Sequence, residues 1–226
     1  MRNGSINIFL VVFMLAVATQ WDPALSQSND NEYTAALKLL DQMAADEDNA
    51  QLTRDSGGAL TELHISHKFK TDQSFRLISQ IRSITNLVIA WSNVPETLTP
   101  TGIGYLGGMS NLANLRFVCH AKGLSPGILE SVSRLSKLRE LWLYYADAPA
   151  EDYAFLKNMT NLTSLKLDAC RHFGNQELQV VTNLTSLTNF VLRYTQVTES
   201  GTNILRHLPS LTHVEFVPSA TIPAKR

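Results

Sequence analysis

Apolar residues recur along the chain in one short phrase, Leu-x-x-Leu-x-Leu with conservative replacements. It reads Leu60-Leu63-Ile65, Ile84-Leu87-Ile89, Leu112-Leu115-Phe117, Leu138-Leu141-Leu143, Leu162-Leu165-Leu167, Leu187-Phe190-Leu192 and Leu211-Val214-Phe216. Successive copies begin 24, 28, 26, 24, 25 and 24 residues apart. The last apolar positions of each phrase alternate at a period of two, which predicts a strand with one face buried. Between phrases the pattern turns helical. Asp72 to Ile81 is amphipathic with Asp72 as its expected N-cap, and Ser125-Pro126, Asn175 and Thr198 open three further segments. An apolar residue closes each half: Met109, Leu135, Met159, Leu184 and Leu208. Such a unit is too small to bury its own apolar face, so self-similarity at this period predicts stacked units. The expected fold class is α/β, a right-handed solenoid of about seven repeats, with parallel strands on its concave face and helices on its convex face.

The N-terminal quarter departs from this pattern. Ile8 to Ala18 is an apolar run preceded by Arg2. It is too short to span a bilayer, which needs roughly 20 residues. Residues 1–26 are therefore expected to be a signal peptide cleaved after Ala18 or Ser26, with retention as an anchor the alternative. Residues 27–58 are expected to form an N-terminal cap: a helix over Glu32–Asp48, a short strand at Ala50–Arg54, and a turn at Asp55-Ser-Gly-Gly58 leading into the next strand. Repeats would fill 59–217, and 218–226 would be a C-terminal tail.

The stretch Leu192-Arg-Tyr-Thr195-Gln-Val197-Thr198-Glu-Ser-Gly201-x-x-x-Leu205 resembles the Leu-x-x-Thr-x-Val-Thr-Asp-x-Gly-Leu unit of ribonuclease-inhibitor-like leucine-rich repeat proteins. The chain is also similar to short secreted bacterial leucine-rich repeat proteins. Leu52-Thr-Arg-Asp-Ser-Gly-Gly-Ala-Leu60-Thr-x-Leu63 resembles their lead-in hairpin. The resemblance covers about residues 50–217 and implies protein–protein recognition on the concave face. The chain departs from it in the long 84–112 unit and at Ala146-Asp-Ala-Pro149, where irregular convex helices are expected.

Composition removes several function classes. Nineteen Lys and Arg residues stand against 20 Asp and Glu, a formal net charge of -1, so no overall pull on nucleic acid is expected. The sequence contains no nucleophile elbow, phosphate loop or zinc-protease helix. Gly102-Ile-Gly104-Tyr-Leu-Gly107 spells a dinucleotide fingerprint, but it aligns with the helical halves of its sister units. The histidines, His64, His67, His120, His172, His207 and His213, are staggered across units and read as surface or turn residues rather than metal ligands. Cys119 and Cys170 fall two strand spacings apart, roughly 9–10 Å, too far for a disulfide, so two free thiols are expected. The sequons at Asn158, Asn161 and Asn183 read as turn chemistry before each strand. No enzyme, cofactor or metal is expected, and no membrane span after signal removal.

Strand alternation lists the outward residues. One lane holds His64, Val88, Arg116, Trp142, Lys166, Val191 and Glu215. The next holds Ser66, Ala90, Val118, Tyr144, Asp168, Arg193 and Val217. A third holds His67, Trp91, Cys119, Tyr145, Ala169 and Tyr194. Trp91, Trp142, Tyr144, Tyr145 and Tyr194 are thus expected to cluster outward, flanked by Arg116, Lys166, Asp168 and Arg193. Trp, Tyr and Arg dominate binding hot spots. The expectation is an exported, non-catalytic protein-binding module centred on Trp142, Tyr144, Lys166 and Arg193. Alternatives are an enzyme inhibitor or accessory subunit, a self-associating envelope component, and a carbohydrate binder whose rings stack on sugars. The sequence leaves the oligomeric state open.

Overall fold

A computed structural model describes residues 27–46, 50–66, 69–91, 98–119, 124, 126–146 and 148–219, without the side chains of 27–31 and Trp91. The expected signal, Ser125, His67, His120 and all but two residues of the tail lie outside these.

Among the described residues, eight strands form one sheet in chain order: β1 (Ala50–Arg54), β2 (Leu60–Ile65), β3 (Asn86–Trp91), β4 (Asn114–Cys119), β5 (Glu140–Tyr144), β6 (Ser164–Asp168), β7 (Asn189–Thr195) and β8 (His213–Pro218). The β1–β2 pair is antiparallel and every later pair is parallel. Helix α1 (Gln27–Ala44) precedes the sheet, beginning and ending four to five residues earlier than the pattern suggests. It buries Ala36, Leu40 and Met43, and its Glu32 pairs with Arg76 of the first connection. Each parallel connection passes through helix: α2 (Asp72–Ile78), α3 (Pro100–Tyr105), α4 (Ile128–Val132) and α5 (Asn175–Leu178), with 3-10 turns over Ala150–Asn158, Gln179–Asn183 and Gly201–His207. The fold is α/β and that of a leucine-rich repeat solenoid.

The repeated phrase is what sets the strands side by side. Leu63, Leu87, Leu115, Leu141, Leu165, Phe190 and Val214 are direct neighbours across β2–β8. Ile65, Ile89, Phe117, Leu143, Leu167, Leu192 and Phe216 form a second row. All are fully buried except on β8, where Val214 is 43% exposed and Phe216 half-buried. Burying each such side chain stabilises by about 1.5–3 kcal/mol. The closing residues Met109, Leu135, Met159, Leu184 and Leu208 are buried too.

Polar groups before each strand hold this register. The carbonyls of Thr85, Ala113, Arg139, Thr163 and Thr188 each accept two successive backbone N–H groups from the next unit, at 2.8–3.0 Å. The Thr163, Thr188 and Thr212 hydroxyls donate to the same carbonyls of the preceding unit, and Asn161 Nδ2 donates to Ser136 O at 2.8 Å. The Asn-Leu-Thr triplet at 161–163 is thus used by the backbone.

The helical side carries a second link, where the structure corrects the expected caps. Thr71, not Asp72, is the N-cap of α2, its hydroxyl accepting from Ser74 N at 3.0 Å. Asp72 instead reaches the next unit. Its carboxylate accepts from Thr99 N and Thr99 Oγ1, both at 2.7 Å. Asn175 likewise accepts from Thr198 N at 3.0 Å. In both places a glycine follows the threonine by three residues. A Cβ on Gly102 would lie 2.3 Å from Asp72 Oδ1, and one on Gly201 would lie 2.0 Å from Asn175 Oδ1. Gly102 of the fingerprint-like run therefore makes room for this clasp. The connections after β5 and β7 are 3-10 rather than α-helical, including the Thr198 segment whose composition reads as helix. A 3-10 turn covers more length per residue than an α-helix, which suits short connections.

Cys119 and Cys170 are both buried thiols, and no disulfide joins them. Burial pushes the Cys170 thiol up to about 12. Tyr153 fills the interior after Ala146-Asp-Ala-Pro149, donating to Ala146 O at 2.7 Å and meeting Phe173 edge to face at 5.1 Å.

Two substitutions test this packing. Leu141→Ala is expected to lower unfolding free energy by about 2–5 kcal/mol, whereas Val214→Ala, at its partly exposed site, costs under about 1 kcal/mol; urea titrations followed by circular dichroism check the difference. Gly201→Ala is expected to cost about 1–3 kcal/mol by displacing Asn175, and the same titration reads it.

Candidate functional site

The sheet face away from the helices carries the expected lanes in register. His64, Val88, Arg116, Trp142, Lys166, Val191 and Glu215 are consecutive cross-strand partners. Ala90, Val118, Tyr144, Asp168, Arg193 and Val217 form the neighbouring row. The third lane divides. Cys119 is buried, because β4 is still pleated there and alternation turns it inward. Ala169 is also buried, at 3% exposure. Tyr145, Ala169 and Tyr194 all have positive φ, 53°, 55° and 53°. This left-handed conformation costs a non-glycine residue roughly 1–2 kcal/mol. It takes the chain out of the pleat, with Tyr145 N donating to Asp168 O and Ala169 N to Arg193 O, both at 2.9 Å. Tyr145 thereby stays 39% exposed and Tyr194 half-buried. Trp91 ends β3 opposite Cys119, and its side chain is outside the described residues.

Three rings come together. Trp142 meets Tyr144 edge-on with centroids 6.5 Å apart, and Tyr144 meets Tyr145 edge-on at 4.7 Å. Burial raises the Tyr144 phenol above its ordinary value, with smaller contributions from Tyr145 and Asp168. Tyr194 has no ring contact among the described residues. Cations from both neighbouring strands attend Trp142: the Arg116 guanidinium lies 3.9 Å from the ring centroid and Lys166 Nζ 5.4 Å. Such contacts contribute about 0.5–2 kcal/mol each.

The charges on the face are largely satisfied from within. Arg193 donates through Nε and Nη2 to the two oxygens of Glu215 at 2.7 and 2.8 Å, and its Nη1 lies 3.7 Å from Asp168. The Glu215 hydrogen bonds hold the Arg193 guanidinium above its ordinary value. Burial raises the Asp168 carboxyl despite Arg193 beside it. Lys166 donates to Glu140 at 2.8 Å. Arg116 has no carboxylate partner among the described residues. Of the expected central cations, then, Lys166 and Arg193 are already neutralised.

One outward row escaped the sequence reading. Residues just before each inner leucine share the outward parity: Glu62, Asn86, Asn114, Glu140, Ser164, Asn189 and His213, paired strand to strand, with Ser164 buried among its neighbours. The same alternation that gave the other lanes would have found them. Asn114 donates to Asn86, and Asn189 to Ser164 at 3.1 Å. Between this row and the next lies a shallow groove of about 150 Å³, whose polar lining is Glu62, Asn86, Asn114, Arg116 and Glu140, with Val88 and Trp142 beside them. The Trp142 Nε1–H is buried without an acceptor among the described residues.

Among the described residues no three His, Cys, Asp or Glu side chains gather as metal ligands, and no helix is long and apolar enough to cross a membrane. No family model matches the sequence, and no curated protein is significantly similar to it. The structure is similar to the crystal structure of an internalin from Listeria monocytogenes, with a TM-score of 0.30 and 14% identity over 63% of this chain. The chain matches half the length of that internalin.

His64 gives a test of the surface's electrostatics. Burial lowers its pKa below the ordinary 6.5, and Arg116 lowers it further against the opposing effect of Glu62. The unfolded chain then binds more protons than the folded one, so stability falls as pH drops through 6.5 toward the depressed value. His64→Gln is expected to flatten that part of the melting temperature against pH profile, measured between pH 7.5 and 5.

Proposed function

We propose that this chain is an exported, non-catalytic binding module that recognises a protein partner through the outward, concave face of its sheet. The observation that carries the reading is the cluster of Trp142, Tyr144 and Tyr145, with Arg116 against the indole, on a sheet face that no described helix covers. Large rings and a stacked guanidinium bury much area on contact at small entropic cost. Export rests on the Arg2 and Ile8–Ala18 pattern, and the site of action is secreted, periplasmic or extracellular. In this reading residues 27–58 cap the first repeat, seven repeats of the ribonuclease-inhibitor-like type follow, and the parallel connections wind right-handed as such crossovers almost always do.

Binding centres on Arg116, Trp142, Tyr144 and Tyr145. Asp168, Lys166 and Arg193 act mainly by holding the surface in shape, since their charges are paired. Tyr194 extends the rim. A sugar stacked on Trp142 would displace Arg116 from its ring, which favours a protein partner over a carbohydrate.

A Trp142→Ala, Tyr144→Ala double variant is expected to keep its circular dichroism spectrum and lose affinity for a partner recovered from native secretions by at least about 2 kcal/mol, the threshold of a hot spot. Calorimetry measures this, and undiminished affinity in the folded variant would discard the surface.

A further inference from the structure

We infer that the groove beside Trp142 is a carboxylate-reading subsite, taking an Asp or Glu side chain from an extended segment of the partner with Arg116 as its anchor. The inference rests on the binding-module reading and names the partner chemistry at that same surface. Three observations point the same way. Of the permanent cations on the face, Lys166 and Arg193 are paired with carboxylates at 2.8 Å and 2.7 Å, whereas Arg116 has none among the described residues. The Arg116 guanidinium rests over the Trp142 ring at 3.9 Å, and a planar guanidinium binds carboxylate through paired N–H groups. The groove also holds donors still lacking acceptors. Asn86, which lines the groove and accepts from Asn114, keeps its own amide N–H groups free among the described residues.

The adjoining acids do not cancel this bias. Both acids line the groove with Arg116; Glu140 is held by Lys166 at 2.8 Å, and the Glu62 backbone lies two strand spacings, roughly 9–10 Å, from that of Arg116. His64 is kept toward its neutral form by burial and by Arg116, which leaves Arg116 as the permanent cation on this part of the face. Beyond Arg116 the surface becomes apolar, with Val88 on one flank and the Trp142, Tyr144 and Tyr145 chain on the other. The matching ligand is an acidic residue beside apolar or aromatic ones. A cation would meet Arg116 and the bound ammonium of Lys166, and a wholly apolar segment would bury Arg116 without a counter-charge, which is costly.

The test is to pan a random dodecapeptide phage library on the immobilised full chain and to synthesise the enriched peptides. Enriched sequences are expected to share an Asp or Glu next to an apolar residue. Replacing that acid by its amide in the free peptide should weaken binding about tenfold, the ordinary worth of a charge-assisted hydrogen bond. Arg116→Gln should weaken the acidic peptide by the same factor and leave the amide peptide unchanged, so the two losses do not add. Arg116→Lys should fall between, because it keeps the charge and loses the fork. The peptide substitution needs no protein variant, so the question is answered even if Arg116→Gln unfolds. Peptides that bind, lose affinity with Trp142→Ala and ignore both the acid and Arg116 would overturn the carboxylate subsite and leave the binding surface standing. No enrichment above the uncoated support would overturn both.

Discussion

The structure depends on one constraint: inward residues of successive strands must lie directly beside each other. Leu141 is buried because Leu115 and Leu165 flank it, and they are buried because their own neighbours do the same. No unit supplies this alone. The backbone pairs at Thr85, Ala113, Arg139, Thr163 and Thr188 convert the apolar preference into a fixed register, since a one-residue slip would break both N–H contacts and turn every leucine outward. Everything on the outer face inherits its position from this. Arg116, Trp142 and Lys166 stand in line only because Leu115, Leu141 and Leu165 do.

The outer face then sorts its own charges. Rows in register bring side chains of neighbouring strands within about 5 Å of each other, so acids and bases meet across strands. Arg193 sits between Asp168 and Glu215 on such neighbours, and Lys166 reaches Glu140. A cation paired in this way supports the surface and offers less to a ligand. Arg116 has Trp142 on one side and Val88 on the other, so its charge stays available.

The fold was legible in the sequence because its cause is periodic. The phrase positions alone name the buried rows, the outward rows and the strand order. Legibility failed where geometry departs from the period. Tyr145 and Tyr194 stay outward, while Cys119 turns inward, because only the first two leave the pleat through a left-handed residue, which no apolar pattern records. Asp72 looks like a cap from its place before a helix, yet Thr71 takes that role and Asp72 serves the next unit, a contact 27 residues away. The pairing of Lys166 and Arg193 was hidden for a related reason. It depends on which way long side chains lean, and alternation gives only the face. The row from Glu62 to His213 was within reach of the same parity argument, and its groove gives the surface its polar edge.

The placement of the paired carbonyl contacts has a consequence for how such a chain can change. They lie immediately before each strand, so that stretch has a fixed length in every unit. The copies begin 24 to 28 residues apart, and the difference must be taken up on the opposite side, between strand end and closing apolar residue. Segments there can lengthen, shorten or be exchanged while the outward residues keep their spacing. The scaffold thus separates two kinds of variation: point substitution on one side alters what is gripped, and loop replacement on the other alters bulk and solubility without moving the grip.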